Sequence, residues 1–427
     1  QQTLKNKGQA IAGLHQRGEW EYDIDEAKID WSVFPSELNI DPTLKSAVKP
    51  IFKTDFNRHV WIKKIGNTEI ELVLDQGSIS DAGNCIALCE IELELKSGDV
   101  KDLFVFATEL AQQHPLVPCD INKAERGYGL THRHINFFQA VDFSQNYKTE
   151  FDVLAFFQDC LTRISRGWDR FGQSDDWWAL IILSRQIQAI TFTLNCLPVS
   201  DSLKQSWKLL NDEVVELLKP ARVVIALFVD DHSNSRGLSQ RLLQNLTSQS
   251  SDRMHEWIEK NTLGQAMLAL GEHLYKNGEQ LSPPKQSKSD QNREVLQIQT
   301  SQHIWSELNV LMERAIEMPV QQLQDLDSIQ ALAYYFKRFN HAAYDPCNHL
   351  VQQHLVVLGM ADAMDISVIS DDISRAKLAS WSRRITVEQR RLQQAREQLK
   401  DLLFNLTAFA SPYSLFGRNS SRSKLAS

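Results

Sequence analysis

The sequence lacks long apolar runs, paired cysteines and an excess of basic residues. Of its 427 residues, 46 are Lys or Arg and 54 are Asp or Glu, so the net charge of −8 argues against a general nucleic-acid-binding protein. No apolar run approaches the roughly eighteen residues needed to cross a bilayer, so we expect no membrane partner. The six cysteines form no Cys-x-x-Cys pair, which indicates reduced, mostly buried thiols of a cytoplasmic protein rather than a zinc site.

The period of the apolar residues changes along the chain, which is long enough for two or three domains. Up to about residue 128 it is two, which predicts an antiparallel sheet or barrel, and from about residue 149 it is 3.6, which predicts helices. We therefore expect an α+β protein. The predicted strands run from Leu14 to Tyr22, Asn57 to Ile65, Glu69 to Asp75 and Cys85 to Lys96, with turns at 66–67, 77–78 and 97–99.

The helices follow from capping residues and from the 3.6-residue period. A polar, proline-broken stretch at 282–293 predicts a loop that divides the helical half, and the serine-rich residues 411–427 predict a disordered tail. The predicted helices run from Val100 to Gln113, Thr149 to Ser165, Trp177 to Cys196, Ser202 to Phe228, Asp252 to Lys276, Glu294 to Glu317, Leu323 to Phe339 and Asp371 to Thr407.

One predicted strand carries three carboxylates on a single face. Glu90, Glu92 and Glu94 alternate with Ile91 and Leu93, so the acids share one face and the aliphatic residues take the other. Same-face neighbours lie roughly 7 Å apart, and their repulsion at an effective dielectric of about 20 comes to roughly 2–3 kcal/mol per pair. The carboxylates of such a strand are either solvated or gathered around cations.

Other predicted strands repeat this mixture of charges. An interior lined by acids and bases would suit a phosphorylated anion delivered with a divalent metal, since acids hold Mg²⁺ or Mn²⁺ and bases bind phosphoryl oxygens. A sheet with one solvated face explains the same pattern, so the residues alone leave both interpretations open. The charged residues besides the acidic strand are Lys5, Arg17, Glu19, Glu21, Arg58, Glu69, Glu71, Asp75, Lys123 and Arg126.

Five stretches of the first half resemble successive blocks of a CYTH domain, the triphosphate tunnel metalloenzyme fold: residues 14–19, 54–58, 71–77, 90–99 and 123–128. Their order, and the helical half behind them, resemble the bacterial CYTH–CHAD inorganic triphosphatases. The resemblance implies a CYTH-like domain over 1–135, a CHAD-like helical domain of two bundles over 145–410 divided near 282–293, and a tail over 411–427.

The resemblance also implies an activity and a site. It implies an eight-stranded antiparallel tunnel in which a divalent metal, Mg²⁺ or Mn²⁺, assists the hydrolysis of inorganic triphosphate to pyrophosphate and phosphate. Glu92 and Glu94 would be the metal pair, with Glu90 beside them, and these three would form the catalytic group with Arg58. The implied phosphate contacts are Lys5, Arg17, Arg58, Lys123 and Arg126, and the implied acidic lining is Glu19, Glu71, Asp75, Glu90, Glu92 and Glu94.

Two departures from the family pattern shape these expectations. The family begins with a Glu-x-Glu-x-Lys strand and a later Arg-x-Arg strand, and neither precedes Lys5. We therefore expect a chain truncated at its N terminus, with an incomplete tunnel and impaired activity. The helical half is poorer in basic residues than CHAD domains typically are, and its best basic face includes Arg383, Arg390 and Arg396.

Two other functions stay open from the sequence. One keeps the tunnel but changes the substrate to thiamine triphosphate or a nucleoside triphosphate, or to ATP cyclised as in class IV adenylyl cyclases. The other is a non-catalytic polyphosphate-binding protein. Metal-dependent release of phosphate from tripolyphosphate would distinguish an inorganic triphosphatase from both of these alternatives.

Overall fold

A computed structural model describes the chain in two compact units, Gln1–Gln139 and Ala140–Ser427. Arg17, the predicted loop at 282–293, the predicted helix from Leu323 to Phe339, most of the predicted helix from Glu294 to Glu317, and the predicted tail lie outside the described residues. The described residues are 2–5, 9–11, 13–16, 18–26, 28–81, 83–131, 153–174, 177–218, 223, 252–281, 303–304, 306–307, 310, 344–369 and 375–407.

The centre of the first unit is a three-stranded antiparallel sheet whose strands lie side by side in chain order. Its strands are β5 (Lys53–Ile65), β6 (Thr68–Ser80) and β7 (Cys85–Ser97). Gly66, with a φ of 58°, occupies the left-handed conformation in the tight turn between β5 and β6. The three predicted strands are therefore present, and each is longer than the sequence pattern indicated.

Four short strands form two further pairs. Strand β1 (Gln2–Lys5) pairs with β4 (Glu19–Tyr22), and β2 (Gln9–Ile11) pairs with β3 (Leu14–Gln16), both antiparallel. The single strand predicted from Leu14 to Tyr22 is therefore two strands, β3 and β4, which belong to different sheets. A short helix, α1 (Pro42–Ala47), follows β4 in the chain. The strands of the described residues form three separate sheets, and the single eight-stranded tunnel stays a prediction.

Side chains that alternate along β6 give the sheet two different faces. Ile70 and Leu72 point to the face opposite Glu71, and they pack with Leu93 and Leu95 of β7 against α2 (Val100–Gln113). Helix α2 has the predicted bounds because the Asp99 carboxylate accepts the backbone N–H of Lys101 and caps its N terminus. The apolar face is covered at this end, which leaves the opposite face for charged residues.

Strand β5 is exposed over much of its length. Val60, Trp61 and Ile62 each remain about half exposed although they are large and apolar. Strand β5 is an edge strand of the β5-β6-β7 sheet, because the described residues provide no further strand beside it.

The turn predicted at residues 77–78 is wrong, because Gly77 lies within β6. A Cβ atom at this position would collide with the carbonyl oxygen of Asp55 and with Phe56 on the neighbouring strand β5. Glycine is therefore required here for the close approach of two strands rather than for a turn.

The segment after α2 leads into α3 (Lys123–Thr131), a helix that the sequence pattern did not predict. The Asn122 side chain accepts the Glu125 backbone N–H near the start of this helix. Gly127 lies against the Phe52 ring, where a Cβ would collide. Helix α3 packs against β5 and β6. Its first residue, Lys123, reaches Asp75 of β6.

The described residues of the second unit are helical apart from short turns at 196–200, 218 and 261. Helices α4 (Val153–Ser174), α5 (Trp177–Asn195) and α6 (Asp201–Leu217) pack in sequence. The helix Thr262–Leu281 packs against α4 and α6, and residues 252–260 before it are also helical. Their core includes buried Phe156, Phe157, Leu161, Ile164, Ile187 and Trp207.

The last two helices, Tyr344–Ile369 and Arg375–Thr407, pack against each other. The sequence pattern did not predict the helix Tyr344–Ile369. Its Pro346 lies in the first turn, where a missing backbone N–H costs no hydrogen bond. None of the described helices is both long and apolar enough to cross a membrane. The assignment of this unit to a CHAD domain of two bundles stays a prediction.

Six free cysteines are described, and the prediction that they are mostly buried is correct for three of them. Cys160, Cys196 and Cys347 are buried, whereas Cys85 and Cys89 are exposed and Cys119 is intermediate. Burial raises the pKa of Cys196 and of Cys347 to about 12. The two thiols are therefore protonated at neutral pH.

Candidate active site

A line of charged residues crosses all three strands of the main sheet on the face away from α2. In the register of the ladder, Arg58 of β5 lies opposite Asp75 of β6, which lies opposite Glu90 of β7. Glu92 follows Glu90 on the same face because strand side chains alternate. Long strands in a fixed register therefore bring four of the predicted site residues together.

Asp75 is at the centre of this group, and its side chain is fully buried. Arg58 donates two hydrogen bonds to its carboxylate, from Nε to Oδ1 at 2.8 Å and from Nη2 to Oδ2 at 2.7 Å. Lys123 reaches the same carboxylate from the start of α3, with Nζ 2.9 Å from Oδ2. One buried carboxylate thus binds two cationic side chains.

The same two cations also bind the acids of β7. Lys123 Nζ lies 3.0 Å from Glu92 Oε1 and contacts Glu90 Oε1. Arg58 Nη2 lies 3.3 Å from Glu92 Oε2. The five side chains form one network, which we call the Asp75 network: Arg58, Asp75, Glu90, Glu92 and Lys123.

Burial and ion pairing act in opposite directions on the pKa values of the network. Burial would raise the pKa of Asp75, but the hydrogen bonds from Arg58 and Lys123 outweigh it and hold the pKa below its ordinary value. Burial would lower the pKa of Lys123, but its bonds to the three carboxylates raise that pKa above its ordinary value. Both groups are therefore charged at neutral pH.

An aromatic ring supports both cations. The Phe56 ring centroid lies 5.5 Å from Arg58 Cζ and 5.5 Å from Lys123 Nζ, within the range of cation–π attraction. The sequence interpretation did not include Phe56. Phe56 lies two residues before Arg58 and therefore on the same face of β5. The two-residue period of the strand could have identified Phe56 as a neighbour of the site.

A second ion cluster follows further along the same face. Glu71 and Glu94 lie opposite each other on β6 and β7, and Lys96 Nζ lies 2.9 Å from Glu94 and 3.5 Å from Glu71. The predicted metal pair is thus divided, because Glu92 bonds Lys123 whereas Glu94 bonds Lys96. The sequence interpretation also did not include Lys96.

The remaining predicted residues lie elsewhere in the first unit. Lys5 of β1 and Glu19 of β4 form an ion pair with 3.1 Å between Nζ and Oε1. Arg126 of α3 lies against Cys119, with Nη2 3.6 Å from Sγ. Arg17 is outside the described residues.

The carboxylates of the Asp75 network fit a divalent cation. Asp75, Glu90 and Glu92 each offer an oxygen, and these oxygens lie within 4.8 Å of one another. Two oxygens bound to one Mg²⁺ or Ca²⁺ at roughly 2.0–2.6 Å cannot be further apart than about 5 Å. The donor set also consists of hard oxygen ligands, which Mg²⁺ and Mn²⁺ prefer.

Comparison with known proteins agrees with this arrangement. Residues 1–128 match the family model of the CYTH domain, which confirms the resemblance of the first half. Over 131 residues the chain is 37% identical to a protein of Haemophilus influenzae named inorganic triphosphatase. That match covers 30% of this chain and 36% of the relative, so the chain spans about a third of the relative's length.

Proposed function

We propose that the protein hydrolyses inorganic triphosphate to pyrophosphate and phosphate with the help of a divalent metal. The observation that carries the proposal is the Asp75 network, in which two cations and three carboxylates meet on one face of a sheet. Its position within a segment that matches the CYTH domain supports a triphosphate as the substrate.

The acids of the network would hold the metal. Asp75, Glu90 and Glu92 would bind Mg²⁺ or Mn²⁺, which when bound supplies positive charge against the phosphoryl oxygens. Glu71 and Glu94 would extend this acidic lining along the same face, and we propose Glu19 as a further member of it.

The basic residues would bind the substrate. Arg58 presents a planar guanidinium to phosphoryl oxygens, and its hydrogen bonds to Asp75 fix the orientation of that group. Lys123 would add a second positive charge where negative charge develops on the leaving pyrophosphate. Lys5, Arg17 and Arg126 are proposed as further phosphate contacts.

The rest of the chain would have an accessory role. We propose that residues 1–135 form the catalytic domain and that residues 145–410 form a CHAD-like helical domain that binds anions or acts as a scaffold. A cytoplasmic location is part of the proposal.

Phosphate release from tripolyphosphate by the full-length protein tests the proposal. Activity should require Mg²⁺ or Mn²⁺, and the double variant Glu90→Gln with Glu92→Gln should lose about 100-fold or more. Glu109→Gln, on the exposed side of α2, is the matched control and should keep full activity. Glu94→Gln measures whether the second cluster contributes.

Other outcomes would replace the proposal. Equal turnover of ATP would indicate a nucleoside triphosphatase instead. Polyphosphate binding without turnover, unaffected by the double substitution, would indicate a binding protein.

A further inference from the structure

Lys123 occupies the point at which the three carboxylates converge. Its Nζ lies 2.9 Å from Asp75 Oδ2 and 3.0 Å from Glu92 Oε1, and it also contacts Glu90 Oε1. These are the same three side chains whose oxygens are close enough together to share a metal ion. The ammonium group therefore lies at the centre of the candidate metal site.

A metal ion and this ammonium group cannot share the position. A divalent cation takes oxygen ligands at roughly 2.0–2.6 Å, so its centre would lie within the space that Nζ now fills. The two positive charges would also repel each other strongly at such a separation in a partly buried site. Metal binding by these carboxylates requires Lys123 to move.

The two cations of the network differ in their freedom to move. Arg58 is bonded through two nitrogens to the fully buried Asp75, and this planar geometry is fixed. Lys123 is attached through a flexible four-carbon stem, and its ammonium can rotate to other acceptors without loss of geometry. Lys123 is thus the cation that can leave.

We propose that Lys123 is a resident counter-ion of the metal site, which a divalent cation displaces and which then turns to the phosphoryl oxygens of the substrate. The carboxylates stay neutralised before the metal arrives, and the freed ammonium becomes available for the substrate only afterwards. The inference rests on the proposed function for the identity of the substrate, but the displacement itself involves only the metal and this chain.

Metal affinity without substrate is the first test. Mn²⁺ binding is measured by calorimetry for the full-length protein, for Lys123→Met and for the control Lys101→Met, whose side chain is exposed at the start of α2. Loss of the competing ammonium should tighten Mn²⁺ binding by about tenfold or more in Lys123→Met, and Lys101→Met should bind as the unchanged protein does. Unchanged or weaker binding in Lys123→Met, or no binding in any of the three, overturns the inference.

Chemical reactivity of the unchanged protein is the second test and needs no variant. Acetylation of Lys123 by an amine-reactive ester is followed by mass spectrometry with and without Mn²⁺. Its modification should rise severalfold with Mn²⁺, whereas that of exposed Lys101 should stay constant. A constant Lys123 signal would contradict displacement. Neither test uses triphosphate, so an active enzyme that fails both overturns only this inference, and an inactive protein that passes both overturns only the proposed function.

Discussion

Replacement of Asp75 by asparagine is the sharpest perturbation of the Asp75 network. The carboxylate is fully buried and accepts hydrogen bonds from Arg58 and Lys123. The substitution keeps the shape of the side chain but replaces one acceptor oxygen with an NH₂ donor. In either orientation of the amide that donor would face a cationic donor, Arg58 Nε at one position or Arg58 Nη2 and Lys123 Nζ at the other, so the network would lose bonding that the amide cannot restore.

The expected loss of stability is about 3 kcal/mol. Removal of one partner from a buried ion pair costs about 3–5 kcal/mol, because the other charge is left without compensation. The lower end of this energy range applies here, because the Arg58 side chain is 43% exposed and can be hydrated once its partner is lost. Lys123, at 17% exposed, keeps Glu90 and Glu92 as partners.

Hydrogen–deuterium exchange across a urea series measures this loss within the first unit alone. Amides of β6 should open at lower urea in Asp75→Asn than in the unchanged protein, and peptides from α5 should be unaffected. Asp55→Asn is the matched control, because Asp55 is exposed on β5 and pairs with exposed Lys53. Equal β6 protection in the two variants would refute the reasoning.

The stability difference between Asp75→Asn and the unchanged protein should depend on pH. The pKa of Asp75 lies below its ordinary value of 3.8, so its contribution is complete above that pH and is lost as the pH falls through the folded-state pKa. The pKa of Lys123 lies above 10.5, so its contribution is complete at every pH below 10.5. The stability difference between Asp75→Asn and the unchanged protein should therefore be constant from about pH 7 to 5 and shrink below 3.8. A constant difference down to pH 2 would contradict this assignment.

Three further predictions concern packing and thiol reactivity. Gly77→Ala should destabilise the β5–β6 pair by about 1–3 kcal/mol in the same exchange assay, because the new Cβ collides with the neighbouring backbone. Phe56→Leu should cost about 1–2 kcal/mol through the loss of two cation–π contacts, again in β6 protection. Iodoacetamide at pH 8 should label exposed Cys85 but not Cys196 or Cys347 in the native protein, as read by mass spectrometry, because burial raises the pKa of both to about 12. Unchanged exchange protection of β6 in Gly77→Ala would contradict the close approach of β5 and β6. Labelling of Cys196 or Cys347 in the folded protein would contradict their burial.

Much of the charged face was accessible from the sequence because it depends on local rules. A period of two places Glu90 and Glu92 on one face, and the turn at Gly66 sets the register that brings Arg58 opposite Asp75. The CYTH resemblance of the first half was found from short blocks and is confirmed by the family match over residues 1–128.

The parts that the sequence did not predict depend on contacts between distant segments. The division of Glu92 and Glu94 between two lysines requires knowledge of where α3 approaches the sheet. Gly77 resembles a turn residue in sequence, and only the neighbouring strand reveals that it is needed for close approach. The burial of Asp75 likewise follows from three strands and a helix together, which no local pattern contains.

The shared use of Asp75 has a consequence for variation among related sequences. Because one carboxylate bonds both Arg58 and Lys123, a change at any of the three alters the other two, and their mutational effects should not be additive. Lineages that replace this aspartate should therefore carry compensating changes at both basic positions, so that the three sites evolve as one unit rather than as independent positions.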